Sequence, residues 1–169
     1  SHFAYAATWR QEWRCPPVVD TLDTPEQAVA PARTDATETA AEVSLLLDAL
    51  AKHPLGDALL VIVPRHPQRF GEVAALAGKA GFILQRRSED AVVDARTQVL
   101  LGDSMGEMFA YYASCDAAFI GGSLLDYGSQ NLIEACAVGK PVLIGRSTYN
   151  FSLAAEQAHH LAVGAETLA

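Results

Sequence analysis

The sequence has little of what a membrane-spanning, disulfide-bonded or nucleic-acid-binding protein would need. No apolar run approaches the roughly 20 residues of a membrane-spanning helix. The cysteines, Cys15, Cys115 and Cys136, are odd in number and lack metal-ligand spacing, so we expect buried, reduced thiols of a cytosolic protein. Lys and Arg number 12 against 20 Asp and Glu, a net charge of −8, which argues against a broad nucleic-acid-binding surface. An anionic ligand would therefore need local groups, such as helix N-termini and single arginines.

Ala, Leu and Val dominate the hydrophobic residues and only 8% of residues are aromatic, a composition typical of helices packed on a sheet. Short apolar segments predict strands at 59–63, 82–84, 99–101, about 116–120 and about 141–144. Helical segments alternate with them at about 37–54, 73–80, 105–114, 130–138 and 152–160. The alternation predicts an α/β fold: a Rossmann-like parallel sheet with helices on both faces, whose ligand lies beyond the carboxyl ends of the strands.

Residues 1–33 fit neither a helical nor a strand period well, and we treat them as a poorly assigned N-terminal segment before a domain at 34–169. Within that segment, TPEQ at 24–27 predicts only the start of a short helix, with a Thr cap and Pro at the first helical position. A chain of 169 residues favours one folded domain.

The polar turn PRHP at 64–67 directly follows the first predicted strand of the domain. Its two prolines stiffen the turn and present Arg65 at the carboxyl end of that strand. The planar guanidinium of Arg65 could pair with a phosphate. The alternative is a surface arginine beside a capping histidine, His66.

The loop GDSMGE at 102–107 follows the strand predicted at 99–101. Ser104 and Glu107 predict a capping box at the start of the next helix. Gly106 is a poor helix former, and its missing side chain would let a flat ring approach the backbone.

The loops GGS at 121–123 and YGSQN at 127–131 lead from one strand into the next predicted helix. Free amides at that helix N-terminus predict an anion site. Its spacing matches neither G-x-G-x-x-G nor a Walker loop, which disfavours a dinucleotide or ATP. Glu134, one helical turn after Asn131, could accept both hydroxyls of a ribose; the alternative is an ordinary first-turn glutamate.

The loop GRSTYNF at 145–151 could line the sugar end of the same pocket, or it could be a solvated loop with Asn150 as a helix cap. No Ser/His/Asp triad, metal cluster or close carboxylate pair is apparent, so we assign no catalytic residue and no metal site. The candidate anion or sugar contacts are Gly122, Ser123, Ser129, Gln130 and Thr148.

Five motifs occur in order between about 59 and 158: VPRHPQRF, LLGDSMGE, FIGGSL, NLIEACAVGKPVLIG and TYNF. Together they resemble the C-terminal, nucleotide-binding half of the Kdo transferases. These are GT-B glycosyltransferases that move 3-deoxy-D-manno-octulosonic acid (Kdo) from CMP-Kdo onto lipid A precursors. The resemblance implies that CMP is contacted by Pro64, Arg65, Met105, Gly106, Glu107, Asn131, Leu132, Ile133 and Glu134.

The sequence departs from this family's pattern in three loops. GSQN at 128–131 replaces Gly-Gly-His-Asn, and GRST at 145–148 replaces Gly-Pro-His-Thr. Of the family's upstream Ser-Thr-x-x-Gly-Glu-Glu loop, at most Thr34 and Glu38 are retained.

The resemblance implies that residues 34–169 are the CMP-sugar-binding domain of a two-domain, inverting, metal-independent enzyme of lipopolysaccharide biosynthesis. CMP-Kdo would be its donor substrate, with no cofactor. The catalytic carboxylate and the site for the lipid A precursor belong to the family's N-terminal half, so we expect this fragment to have no catalytic residue and to be inactive alone. We expect a cytoplasmic location, no nucleic-acid partner, and membrane association only through a parent protein at the cytoplasmic face of the bacterial inner membrane.

Two alternatives remain open. The first is a UDP-sugar-using GT-B glycosyltransferase or epimerase domain, because ribose-binding glutamates recur in such enzymes. The second is a non-catalytic nucleotide-binding module on a doubly wound sheet.

Overall fold

The computed structural model describes residues 3–9, 36–54 and 56–158. The strands in these ranges are β1 Phe3–Trp9, β2 Ala58–Pro64, β3 Leu84–Arg86, β4 Val99–Leu101, β5 Ala117–Ile120 and β6 Val142–Ile144. The helices are α1 Ala36–Lys52, α2 Phe70–Lys79, α3 Met108–Ser114, α4 Ile133–Ala137 and α5 at 152–158. The helix start predicted at 24–27 lies outside the described residues.

The strands form one sheet in the order β3-β4-β2-β1-β5-β6. β2 and β3 each pair parallel with β4, and β5 pairs parallel with β6. β1 is antiparallel to both β2 and β5, so the other five strands share one direction. The predicted α/β fold with a parallel sheet is confirmed for those five strands. The antiparallel β1 is an addition, in a segment for which the sequence pattern predicted no strand.

Helices cover both faces of the sheet, as predicted. Leu59, Val61 and Val63 of β2 point to one face, where they lie in a core with residues of α3, α4 and α5. Leu60 and Ile62 point to the other face, where the core is completed by α1 and α2. Because every residue from 59 to 64 is buried, the sequence of β2 is continuously apolar rather than alternating between apolar and polar residues.

Two helices begin later than predicted, and in both cases backbone with positive φ precedes the first turn. Gly106 has φ +80, a left-handed conformation that cannot belong to a right-handed helix, so α3 begins at Met108 rather than near 105. Gly128 and Ser129 have φ +81 and +64, so α4 begins at Ile133 rather than near 130.

The capping box predicted from Ser104 and Glu107 is wrong. Glu107 is itself the residue before the first helical position, and its side chain makes no capping hydrogen bond. The hydroxyl of Ser104 instead contacts the carboxylate of Glu107 directly. The pattern S-x-x-E therefore marks a contact between side chains within the loop.

The prediction of buried cysteines is confirmed for Cys115 and wrong for Cys136, which is exposed. The reason is the orientation of α4: Leu132 and Ala135 face the core, so the next position along the helix points outward. Cys15 lies outside the described residues. Among the described helices, none has the length and apolar character needed to cross a bilayer.

Candidate functional site

The carboxyl ends of β2 to β6 lie at one edge of the sheet, because these strands share one direction. After β2, the chain forms β3 and β4 on one side of β2 in the sheet. It then crosses over and forms β5 and β6 on the other side. Such a reversal of strand order is where open α/β sheets bind ligands. The loop segments singled out from the sequence, at 64–67, 102–107, 121–123, 127–131 and 145–151, all follow strands at this edge.

Arg65 follows the last residue of β2, and its exposed guanidinium makes no ion pair or hydrogen bond within residues 36–54 and 56–158. Other arginines near this edge are engaged. Arg69 pairs with Glu72 at 2.7 Å, and Arg87 pairs with Glu107 at 3.0 Å. Arg65 thus leaves its planar set of donors available for a ligand anion.

His66 lies beside Arg65 and is half-buried. Burial lowers its pKa, and the neighbouring charges of Arg65 and Arg69 lower it further. Both effects favour the neutral form of the imidazole. His66 occupies the N-cap position of a 3-10 turn at Pro67–Arg69, as in the alternative interpretation, but its side chain makes no capping hydrogen bond.

The first half of the loop at 102–107 is tied to the end of β3 through Asp103. Its carboxylate accepts hydrogen bonds from the backbone N–H of Ser88 at 2.8 Å and from the Ser88 hydroxyl at 2.7 Å. Arg86 lies 3.5 Å from the same carboxylate. The Asp103 side chain is almost fully buried, so this contact fixes the start of the loop firmly.

The second half of the loop is held by Glu107, whose carboxylate is turned inward. It accepts hydrogen bonds from Arg87 at 3.0 Å and from the Tyr111 hydroxyl at 3.4 Å, and it contacts the Ser104 hydroxyl. Met105 and Gly106 face solvent, and nothing lies within 4 Å of where a Gly106 side chain would begin. The surface that this loop offers a ligand is therefore made by residues 105 and 106.

The loop after β5 differs from the sequence expectation, because its amides are already bonded. Gly122 and Leu124 donate to Glu42 of α1, at 2.6 and 2.9 Å. Ser129 and Gln130 donate to the carbonyls of Gly122 and Gly121, at 2.8 and 3.0 Å. The prediction of an anion site made of free amides is therefore wrong for the amides of Gly122, Ser129 and Gln130.

Ser123, Ser129 and Gln130 are buried, and each has a structural role in joining loops or strands. The Ser123 hydroxyl donates to the carbonyl of Ile120 at 2.6 Å and accepts from the amide of Gly145 at 2.8 Å. The Ser129 hydroxyl donates to the carbonyl of Gln130 at 3.0 Å. A role for Gly122, Ser123, Ser129 or Gln130 in binding sugar stays a prediction.

Asn131 and Glu134 form a pair at the start of α4. The amide nitrogen Nδ2 of Asn131 donates to Oε1 of Glu134 at 3.1 Å, and Oδ1 of Asn131 accepts from the backbone N–H of Ile133 at 3.0 Å. Both side chains are half-buried, and Glu134 Oε2 accepts no hydrogen bond from the described residues. Leu132 is buried in the core, whereas Ile133 is exposed.

The loop after β6 packs on the loops before it rather than standing free in solvent. The Ser147 hydroxyl accepts from the amide of Gly128 at 2.9 Å and donates to Asp126 at 3.1 Å. The Asn150 side chain donates to the carbonyl of Tyr127 at 3.1 Å, so the predicted role of Asn150 as a helix cap is wrong. Thr148 is half-buried at this edge, and its role in binding sugar stays a prediction.

Gly145 is required where it stands, because a Cβ there would collide with the Ser123 carbonyl group. Among the described side chains, no group of three His, Cys, Asp or Glu is arranged to hold a metal ion.

Sequence reasoning missed two side chains that shape the site, Glu42 and Arg87. Glu42 did carry a signal: it lies four residues before Leu46, on the apolar face of α1, where an unpaired charge would be costly. No signal in the sequence indicated that Arg87 contacts the loop at 102–107, because Glu107, its partner in that loop, is 20 residues away in the sequence.

Comparison with known proteins identifies what this chain is similar to. It is 50% identical over 108 residues to a 3-deoxy-D-manno-octulosonic acid transferase of Bordetella pertussis, covering 63% of this chain and 25% of the relative. It is 48% identical over 102 residues to the enzyme of the same name from Haemophilus influenzae, covering 60% of this chain and 23% of the relative. Over about three fifths of its length, the chain is similar to Kdo transferases. It spans about a quarter of the length of these relatives.

A solved structure shows the same similarity. The C-terminal CMP-Kdo binding domain of WaaA from Acinetobacter baumannii matches with a TM-score of 0.58 and 33% identity, over 73% of this chain and 63% of that one. The predicted resemblance to Kdo transferases and the predicted α/β fold are thereby confirmed. The homologues are glycosyltransferases. No protein-family model matches the chain.

Proposed function

We propose that this chain is the donor-binding domain of a glycosyltransferase that transfers Kdo from CMP-Kdo to a lipid A precursor in lipopolysaccharide biosynthesis. The observation that carries the proposal is the match to a domain described as CMP-Kdo binding, at 33% identity and a TM-score of 0.58. The two Kdo transferases at 48% and 50% identity support it.

In this proposal, the nucleotide lies at the edge of the sheet, across the point where the strand order reverses. Arg65 holds a phosphate, because its guanidinium has no internal anionic partner among the described residues. Glu134 accepts hydrogen bonds from the ribose hydroxyls through the oxygen that Asn131 leaves unused. Met105 and Gly106 offer a small apolar surface to the flat base, with Glu107 and Arg87 holding that loop in shape.

Pro64, Leu132 and Ile133 complete the proposed CMP site. Pro64 and Leu132 are buried, so a ligand would reach them through backbone atoms, whereas the Ile133 side chain is exposed. We assign the domain to residues 34–169 and no catalytic residue to this chain. The acceptor site, the catalytic carboxylate and contact with the bacterial inner membrane would belong to the rest of a GT-B enzyme, working at its cytoplasmic face without cofactor or metal.

Titration calorimetry of the 169-residue chain with CMP and UMP tests the proposal. We expect CMP to bind more tightly than UMP, and Arg65→Ala and Glu134→Ala each to weaken CMP binding about tenfold, because each removes hydrogen bonds to a charged group. Arg96→Ala is the matched control for Arg65, since Arg96 is exposed and, among the described residues, its ion pair is with exposed Asp94 in the loop before β4. Glu156→Ala, an exposed glutamate of α5, is the control for Glu134.

Three outcomes would contradict the proposal in different ways. Absent binding, or binding that Arg65→Ala and Glu134→Ala leave unchanged, would reject the nucleotide site. A preference for UMP would indicate a UDP-sugar enzyme instead. Transfer of Kdo by this chain alone would reject the assignment of a donor-binding role without catalytic residues.

A further inference from the structure

Glu42 is a buried carboxylate far in sequence from the loops of the site. It lies on α1 with 1% of its surface exposed. Oε2 accepts a hydrogen bond from the amide of Gly122 at 2.6 Å, and Oε1 accepts one from the amide of Leu124 at 2.9 Å. Both oxygens are thus bonded to one short segment, 121–124, at the carboxyl end of β5. Hydrogen bonds to an ionised acceptor are shorter and stronger than neutral ones.

The segment held by Glu42 is the one on which the neighbouring loops rest. The carbonyls of Gly121 and Gly122 accept the amides of Gln130 and Ser129, and so fix the chain immediately before Asn131. The carbonyl of Ser123 accepts the amide of Ser147, at 3.1 Å, and so fixes the loop after β6. A shift of segment 121–124 would therefore move both loops.

This arrangement needs a carboxylate, because an uncharged side chain of the same shape cannot accept both backbone hydrogen bonds with the same geometry. A glutamine at position 42 would present one oxygen and one NH2 group to two backbone N–H donors. One of those donors would lose its acceptor, and the NH2 group would face a donor rather than an acceptor. Because these groups are buried, segment 121–124 would have to move, or water would have to enter. Only then could the unpaired backbone N–H and the glutamine NH2 group both find acceptors.

We propose that Glu42 is a positioning residue of the nucleotide site: it sets the location of Asn131 and Glu134 by fixing segment 121–124, without itself contacting the ligand. This inference rests on the proposed function, because it assigns Glu42 a role in binding CMP. Displacing a binding group by a fraction of an ångström weakens binding without unfolding the protein.

The test is CMP titration of Glu42→Gln, at a temperature where circular dichroism shows every variant to be folded. We expect affinity at least about tenfold lower than in the unsubstituted chain. Hydrogen exchange supplies a readout that does not depend on ligand: the amides of Gly122 and Leu124 should exchange faster in the variant. Asp48→Asn is the control, because it removes one negative charge from an exposed position of the same helix.

The outcomes separate the inference from the proposed function. If the unsubstituted chain does not bind CMP, the proposed function fails and this inference fails with it. If it binds CMP, and folded Glu42→Gln binds within twofold of it, only the role of Glu42 is rejected. Tighter CMP binding by Glu42→Gln also rejects the proposed role, because the Glu42 carboxylate would then oppose CMP binding rather than support it. Glu42→Asp, which keeps the charge on a shorter side chain, decides by the same criteria if Glu42→Gln does not fold.

Discussion

The ion pair between Arg87 and Glu107 allows a quantitative prediction, because both side chains are largely buried and an exposed pair exists for comparison. Their side chains are 22% and 9% exposed, and N and O are 3.0 Å apart. Removing one partner of a fully buried pair costs about 3–5 kcal/mol. Arg87 keeps some solvent contact, and the hydroxyls of Ser104 and Tyr111 still face the carboxylate, so we expect Arg87→Ala to cost about 2 kcal/mol.

In a chain of this length, that loss corresponds to a fall in Tm of roughly 4–8 °C. Urea unfolding followed by circular dichroism measures the change in the free energy of unfolding, provided that the slope against denaturant stays constant. The control is Arg96→Ala, which breaks an exposed pair with Asp94 and should leave stability unchanged.

A second variant separates two contributions to the free energy of unfolding: the cost of leaving a buried charge unpaired and the loss of packing. In Arg87→Ala/Glu107→Gln the buried charge is gone, while the group at 107 still bonds to the hydroxyls of Ser104 and Tyr111. We therefore expect the double variant to be more stable than Arg87→Ala alone. Equal stability of Arg87→Ala and Arg96→Ala would refute the reasoning, since the buried pair would then contribute no more than the exposed one.

Two further predictions concern groups that titrate or react. The pKa of His66 is lowered by burial and nearby arginines, so its NMR titration midpoint should lie below 6.5. Because the unfolded chain then binds a proton more readily than the folded one, stability should fall as the pH drops below 6.5. A midpoint above 6.5 would contradict this. In a Cys15→Ser background, exposed Cys136 should react with a thiol reagent in the folded protein, at a rate slowed because desolvation raises its pKa. Cys115, whose pKa burial raises, should react only on unfolding, and equal rates would contradict its burial.

Local features of the fold were predictable from the sequence because local physics decides them. The apolar run at 59–63 is short and continuous, which favours a strand buried on both faces, and it lies within β2 at Ala58–Pro64. β4 occupies the residues predicted for it, Val99–Leu101. The placement of the candidate loops at one edge followed from the alternation of strands and helices alone.

What could not be predicted depends on contacts between distant parts of the chain. Glu42 and Gly122 are 80 residues apart, so no spacing rule could have shown that the amides after β5 are occupied. The late starts of α3 and α4 depend on positive φ at Gly106, Gly128 and Ser129. A sequence pattern allows glycine that conformation without requiring it, and it gave no reason to expect it at a serine.

The antiparallel β1 separates the sheet into two groups of strands, β3-β4-β2 and β5-β6, which have no backbone ladder in common. Arg65 belongs to the first group, and Asn131 and Glu134 follow the second. A nucleotide bound to both would therefore crosslink two units whose association otherwise relies on one strand, on Glu42 and on side-chain packing. If the proposed function holds, ligand affinity and the cohesion of the sheet would form one linked equilibrium, in which CMP at free concentration [L] would add RT ln(1 + [L]/Kd) against separation of the two groups.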